Sequence, residues 1–386
     1  LLEVSDALLV AGAVGADRVA ELLVEAGASA SNWSKHPVVR LPDGTAAEAL
    51  TISASEILGW LVALGAEFIA PYRQDTQRRD LAFHPPMLRQ LGIAEGAVLP
   101  RLAVAGVQVV DPQRKQYAAG PERWPIRLFV RGEPYRLWGL LPCERHLFGV
   151  DPGGVLFVLG SDQFGRDLLS RLLHATRVSL GVALLAVFLS LALGLLLGGL
   201  AGYAGGWLDF LLMRGTELVL ALPGLYLLLA LRDSFGRELS PWALLGVLAL
   251  VLALVEWAPH ARVIRGLVLA LRDREHVRAA RVQGFGPASL LVRQILPGTS
   301  SYVIPNLSLS LPAFVLGEAA LSFLGLGVQE PQASWGLLLR DAQSVRFLVD
   351  FPWLLAPGGF LFLAVAACNL LGEGLRDALD LQGVRG

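Results

Sequence analysis

The feature that most constrains this chain is a long stretch without charge. Residues 178–206 contain no Asp, Glu, Lys or Arg and are mostly Leu, Ala, Val and Gly. A bilayer core about 30 Å thick is crossed by roughly 20 apolar residues in a helix, so this run predicts a membrane span. Four more runs follow: 218–231, which extends backward through Phe210 and Met213; 239–255; 294–317, with Pro305 and Pro312; and 351–372. Prolines are tolerated inside spans where neighbouring helices re-satisfy the backbone. A poorer run, 57–71, is interrupted by Glu67; it reads either as a first span or as a buried or interfacial helix. Arg214 and Glu217 stand three apart on one helix face, where they can pair. The run 239–255 gives way to Glu256-Trp257, which reads as charge and indole at a membrane interface.

Composition agrees. Of the 386 residues, 54% are hydrophobic and 17% charged, against about 25% charged in soluble domains. That balance excludes disorder. A net charge of −1 gives no reason to expect a nucleic-acid partner. Cys143 and Cys368 are the only cysteines, too few for a disulfide framework or a zinc cluster. The six histidines are scattered without paired-ligand spacing, so no metal is expected. Of the 32 basic residues only Lys35 and Lys115 are lysines, and neither fits G-x-x-x-x-G-K-[ST]. A P-loop needs that lysine to reach the transferred phosphate, so the chain is not expected to bind ATP that way. No catalytic residues and no cofactor are expected.

The predicted fold is an all-α polytopic membrane protein of about six transmembrane helices, with a small mixed, β-rich external insert between the first two. Residues 1–50 read as a soluble module or an irregular segment, and the alternatives stay open. Residues 51–71 hold the weak first helix, and 72–175 the insert with an elbow helix. Residues 176–380 form a core of five helices, and 381–386 a tail. Within the insert, 104–110 (VAGVQVV) and 125–130 (PIRLFV) read as strands punctuated by Pro and Gly, with Trp124, Tyr135 and Trp138 available for a core. Residues 259–298 carry Arg262, Arg265, Arg272, Arg274, Arg278, Arg281 and Arg293 against Asp273 and Glu275. Basic short loops stay cytoplasmic, which would place 72–175 outside and the C-terminus inside. Inside that loop, 274–298 reads as two short helices about a glycine turn, the first ended by Gly284. The second carries Leu290, Leu291 and Ile295 on one side. This is either a solvated basic loop or a compact knob for another protein to grip.

Ala279-Ala280, Gly284 and Ile295-Leu296-Pro297 resemble the "EAA" loop of permease subunits of bacterial ABC importers. LGSDQFGRDLLSRLLHATRVSL (159–180) resembles the LGTDxxGRDxxSRLLxGxRVSL signature of the dipeptide/oligopeptide permease group. GEAALSFLGLGVQEPQASWGLLLRDAQ (317–343) resembles that group's GExALSFLGLGxxPPxxSWGxLL stretch, and APYRQDTQ (70–77) is similar to its segment after the first span. Together these cover roughly residues 57–380, and the long insert resembles the "C"-type partners with an enlarged external loop. Arg278 departs from the glutamate that names the motif, and Val282-Gln283 replaces its small-residue-Leu pair.

The resemblance implies a transport subunit of the bacterial cytoplasmic (inner) membrane with no ATPase site of its own. Its implied partners are a homologous permease subunit, two cytoplasmic ABC ATPase subunits and an extracytoplasmic solute-binding protein. The ATPase-coupling residues would be Arg274, Arg278, Ala279, Ala280, Arg281, Gly284, Ile295, Leu296 and Pro297. The arginines either pair with acidic groups on the ATPase or meet lipid headgroups. Gly284 is a docking turn, a helix C-cap, or both. Glu318 either lines a pathway or gate, or bonds inside the bundle. Ser161 or Asp162 can cap the helix leading into the membrane, and Gly165, Arg166 and Asp167 would orient that elbow. The competing classes are a secondary carrier or channel, which would show repeats and intramembrane charges, and a membrane-embedded enzyme. Dipeptides, longer peptides, nickel chelates and glycosides all stay open as cargo.

Overall fold

The computed structural model of the protein describes residues 39–40, 46–47, 64–93, 102–137, 139–234 and 240–383. The expectations for most of 1–50 and of 51–71, for Trp138 and for the last residues of the tail therefore lie outside the described residues. Strands β1 (Val39–Arg40) and β2 (Ala46–Ala47) form a two-residue ladder. The short helix α1 (Ala66–Ile69) is the described end of the weak first run.

The polar stretch that follows is β-rich, as its Pro- and Gly-punctuated apolar runs require. Strands β3 (Leu91–Ile93), β4 (Leu102–Asp111) and β5 (Gln116–Pro125) make one antiparallel sheet. Val109 faces Tyr117 near the hairpin turn, where Asp111 Oδ1 accepts from the amides of Gln113 and Arg114. β6 (Arg127–Leu137) and β7 (Leu141–Gly149) form a second hairpin, with Gly139 at a φ of 74° in its turn. Val104, Leu81, Met87, Leu156 and Phe157 are buried together, with Tyr72, Trp124 and Phe148 packed against them. Tyr117 Oη closes the unit by donating to Ala82 O at 2.6 Å.

From Leu168 the chain becomes a helical bundle. α2 (Leu168–Ala204) is a single helix, about 55 Å long at 1.5 Å per residue. Asp167 starts the helix, and it runs unbroken to Gly205. Arg171, His174 and Arg177 occupy its first turns, and the charge-free run is the remainder. α3 (Gly206–Ala221) turns back, and α4 (Gly224–Ser234) follows a break at Leu222-Pro223. The expected span 218–231 is thus interrupted at its proline.

α5 (Pro241–Leu271) runs past Pro259 and replaces the expected span 239–255. Glu256-Trp257 lies inside a 31-residue helix and not at a helix end. The "loop" arginines Arg262 and Arg265 also belong to this helix. They are accommodated there by α3: Arg265 pairs with Asp209, and Arg262 Nε donates to Thr216 Oγ1 at 3.2 Å. α6 (Glu275–Val282) and α7 (Pro287–Leu290) come next. A π turn over Leu291–Ile295 and a 3₁₀ turn over Leu296–Thr299 connect α7 to α8 (Ser300–Leu309) and α9 (Leu311–Phe323). The segments Pro287–Leu309 and Leu311–Phe323 meet at 41°, so the expected span 294–317 is a bent one. α10 (Trp335–Arg340), α11 (Val345–Asp350) and α12 (Ala356–Gly383) complete the chain. Among the described residues three helices are long and apolar enough to cross a membrane, or up to five if each bent pair is one span.

α2 and α5 form the most extensive pair. A Cβ built at Gly194 would lie 2.7 Å from His260 Cβ, one at Gly198 2.4 Å from Ala261 O, and one at Gly202 2.8 Å from Arg265 O. The contacts advance together along both helices, so the pair is parallel. Small residues four apart allow such close approach where lipid offers no hydrophobic drive between helices. α9 and α10 cover the other sides of α2, through Phe314, Val315, Leu321, Trp335 and Leu338, and α12 packs in turn on α8, α9 and α10. The bundle therefore has two ends. The β-rich unit sits at the N-terminal end of α2, and the short helices α6 and α7 at its C-terminal end.

Candidate functional site

The end carrying α6 and α7 is built as a projection with one buried face. Arg272 follows α5, and its Nη1 donates to Gly202 O at 3.0 Å, tying the start of the projection to α2. On α6, Val277 and Ala280 point inward; with Leu290, Leu291 and Ile295 they pack on Ile264 and Val268 of α5. Leu195 and Tyr203 of α2 flank this cluster. α6 stops in a glycine cap. Gly284 has a φ of 87°, its amide donates to Arg281 O at 3.1 Å, and the Phe285 amide reaches back to Ala280 O at 3.2 Å. This pair of bonds satisfies carbonyls the helix end would leave open. No heavy atom lies within 4 Å of a Cβ built at Gly284, so its necessity is conformational.

The nine residues expected to couple to a partner divide by this geometry. Arg274, Arg278, Ala279, Arg281, Gly284 and Pro297 are exposed. Ala280 and Ile295 are buried in the cluster and Leu296 is half-buried; these three hold the projection on the bundle, because the apolar face of both short helices is spent on α5. Sequence reasoning passed over Val282, Phe285 and Val292, which stand 89%, 37% and 59% exposed on the outer side. Their signal is an apolar side chain off the buried face of an amphipathic helix. Among the described residues Arg274, Arg278 and Arg281 have no acidic partner, unlike Arg262 and Arg265 a few turns earlier.

The opposite end holds a buried charge cluster. Asp162 Oδ1 accepts from the amides of Phe164 (2.8 Å) and Arg166 (3.0 Å). Its Oδ2 accepts from Arg166 Nε (2.7 Å) and Arg171 Nη1 (2.6 Å). Glu330, in the turn between α9 and α10, bridges the same two guanidiniums at 2.8–3.0 Å. Two carboxylates thus neutralise two arginines. Gly165, at a φ of 72°, is required because a Cβ there would be 1.8 Å from Arg78 O. Asp162 does not cap α2; Asp167 does, accepting from the Ser170 amide at 2.8 Å and the Ser170 hydroxyl at 2.6 Å. Burial pushes the Asp167 carboxyl up to about 7. Beside the cluster, burial likewise lifts Asp341 to about 6, with Arg171 opposing. Arg171 and Glu330 were not singled out from sequence. The one sign of Glu330 is that it stands where the peptide-permease pattern has a proline.

Glu318 lies between the two ends and is completely buried. Ser179 Oγ donates to its Oε2 at 2.8 Å and Ser322 Oγ to its Oε1 at 2.6 Å. The same hydroxyls accept from the amides of Trp335 (3.2 Å) and Val328 (3.0 Å). Of its two expected roles, the geometry has Glu318 bonded inside the bundle, joining α2, α9 and the start of α10. Arg214 and Glu217 pair as their spacing requires.

Fold and site together define a multi-pass membrane protein with a two-helix projection at one end of its bundle. The family described as binding-protein-dependent transport system inner membrane component matches residues 194–382. A peptide permease protein of Brucella ovis is 42% identical over 222 residues, which is 57% of this chain and 72% of that protein. The oligopeptide transport system permease protein of Haemophilus influenzae is 37% identical over 222 residues, 57% of this chain and 69% of that protein. The dipeptide transport system permease protein of Bacillus subtilis is 35% identical over 221 residues, 57% and 67% respectively. The chain belongs to this family of inner-membrane components. It is a transmembrane permease subunit of an ABC importer, and not the ATPase subunit of one.

Proposed function

We propose that this subunit, with a homologous permease, forms the path for peptides or a related solute, and that the α6–α7 projection is where two ATPase subunits act. An external binding protein would deliver the solute. The observation that carries this reading is the projection's division of labour. Its inner face is fixed rigidly to α2 and α5, while its outer face offers arginines without acidic partners beside exposed Val282 and Phe285. A handle of this kind passes a push from a partner directly to the long helices. Closure of the ATPase subunits would then favour one of two bundle conformations, a population shift driven by differential binding.

The orientation follows from charge. With Arg262 and Arg265 absorbed by α3, the projection still carries Arg272, Arg274, Arg278, Arg281 and Arg293 against Asp273 and Glu275. Basic short loops remain on the cytoplasmic side, which supports a β-rich unit outside and the end of α12 inside.

Gly284→Asp tests the proposal. A side chain at a φ of 87° is strained and rebuilds the turn. The variant should insert normally yet lose uptake and release the ATPase subunits on purification. Wild-type uptake by a correctly inserted Gly284→Asp protein would rule the handle out.

A further inference from the structure

α5 carries an ionisable side chain that the fold leaves unaccounted for. Glu256 is exposed on the helix surface, and among the described residues it has neither a hydrogen-bond donor nor a cationic partner. Three other charged groups described in this bundle do have partners. Arg265 has Asp209, Arg262 has Thr216, and Glu318 has two serines.

Its depth is fixed by two contacts. One turn after Glu256, His260 lies against Gly194 of α2 and bonds through Nδ1 to Tyr302 Oη of α8 at 3.0 Å. One turn before it, Leu252 lies against Gly317 of α9. Because α2 and α5 run parallel, Glu256 is level with about residue 190 of α2, near the middle of the charge-free run 178–206. Toward the projection, the first charged residue on its own helix is Arg262, about 9 Å further along the axis. A Glu side chain is too short to reach water over such a distance. Carboxylates at membrane depth face a bundle interior or a water-filled cavity, because hydrocarbon gives them nothing to bond. The Glu256 face continues through Pro259, Val263 and Gly266, all exposed.

We infer that this face of α5 lines the solute path and that the Glu256 carboxylate receives a protonated amine, so that the path favours cationic, amine-bearing solutes. The identity of the ligand as transported solute rests on the permease reading; the wetness of the face and its preference for cations do not.

The test is thiol labelling of the assembled complex in permeabilised membranes, with Cys143→Ser and Cys368→Ser as background. The probes are 2-(trimethylammonium)ethyl and 2-sulfonatoethyl methanethiosulfonate. Glu256→Cys should react with both, as only a hydrated position can. Val263→Cys, two turns away on the same face and 43% exposed, should prefer the cationic reagent by about tenfold over a Val345→Cys control, the size of local electrostatic enrichment. Adding Glu256→Gln should bring that preference back to the control value. Failure of Glu256→Cys to react while Val345→Cys does, or a preference at Val263→Cys that Glu256→Gln leaves unchanged, overturns the inference. Loading the ATPase subunits with nucleotide separates the two readings. If labelling rates ignore nucleotide while the Glu256 effect persists, the coupling account fails and the cation-selective face stands.

Discussion

Gly198 of α2 and Ala261 of α5 are so close that a methyl group on the glycine would sit 2.4 Å from the Ala261 carbonyl oxygen. The obstacle is backbone, which cannot swing aside as a side chain would. Overpacking a tight interface costs about 1–3 kcal/mol, and more where the backbone must move. Gly198→Leu should therefore lower the melting temperature of the detergent-purified protein and reduce its yield. Gly181→Leu, where nothing lies within 4 Å of the added Cβ, should do neither.

The Asp162 cluster predicts an asymmetry between its two acids. Asp162 is 1% exposed and holds both guanidiniums, whereas the Glu330 side chain is 45% exposed. Removing one partner of a buried pair costs about 3–5 kcal/mol because the other charge is left uncompensated. A half-exposed partner can be replaced by water at about 1 kcal/mol or less. Thermal unfolding should show Asp162→Asn strongly destabilised and Glu330→Gln nearly unchanged. Pairing Asp162→Asn with Arg171→Met should recover part of the loss. Equal effects at the two acids would mean that the cluster is not shielded as its burial indicates.

Asp167 predicts a pH dependence of defined sign. Its pKa is raised from 3.8 to about 7 by burial, so the folded protein holds a proton that the unfolded chain releases near pH 4. Such a group adds stability at low pH and loses it as pH rises from about 4 to about 7. Asn is an equally good helix cap and cannot ionise. Asp167→Asn should flatten the dependence of melting temperature on pH in that window without destabilising the protein at pH 8. A dependence unaltered in the variant would move the titration to another group, of which Asp341, raised to about 6, is the nearest.

The long helices beyond residue 168 and the β-rich unit were legible because each rests on local pattern: charge-free length for the helices, punctuated apolar runs for the strands. What misled was the meaning of a charge. Arg262 and Arg265 read as part of a basic loop after a span that stops at Val255. In the structure Asp209 and Thr216, on a different helix, make those arginines acceptable, so α5 continues to Leu271. Glu330 escaped notice because its partners are 159 and 164 positions earlier, beyond the reach of any periodicity. In the projection the motif residues were visible but not their directions. Ala280 and Ile295 look like contact residues until the apolar face of their helices is seen packed on α5.

The proposed handle requires that a partner grips the outer side of α6. Cross-linking from Val282→Cys, 89% exposed, measures it most directly, in the whole complex and in a background without the native cysteines. A nucleotide-sensitive cross-link to an ATPase subunit is expected from position 282 and none from Val345→Cys at the far end of the bundle. Modification of Val282→Cys by an impermeant reagent applied from outside intact cells would contradict it.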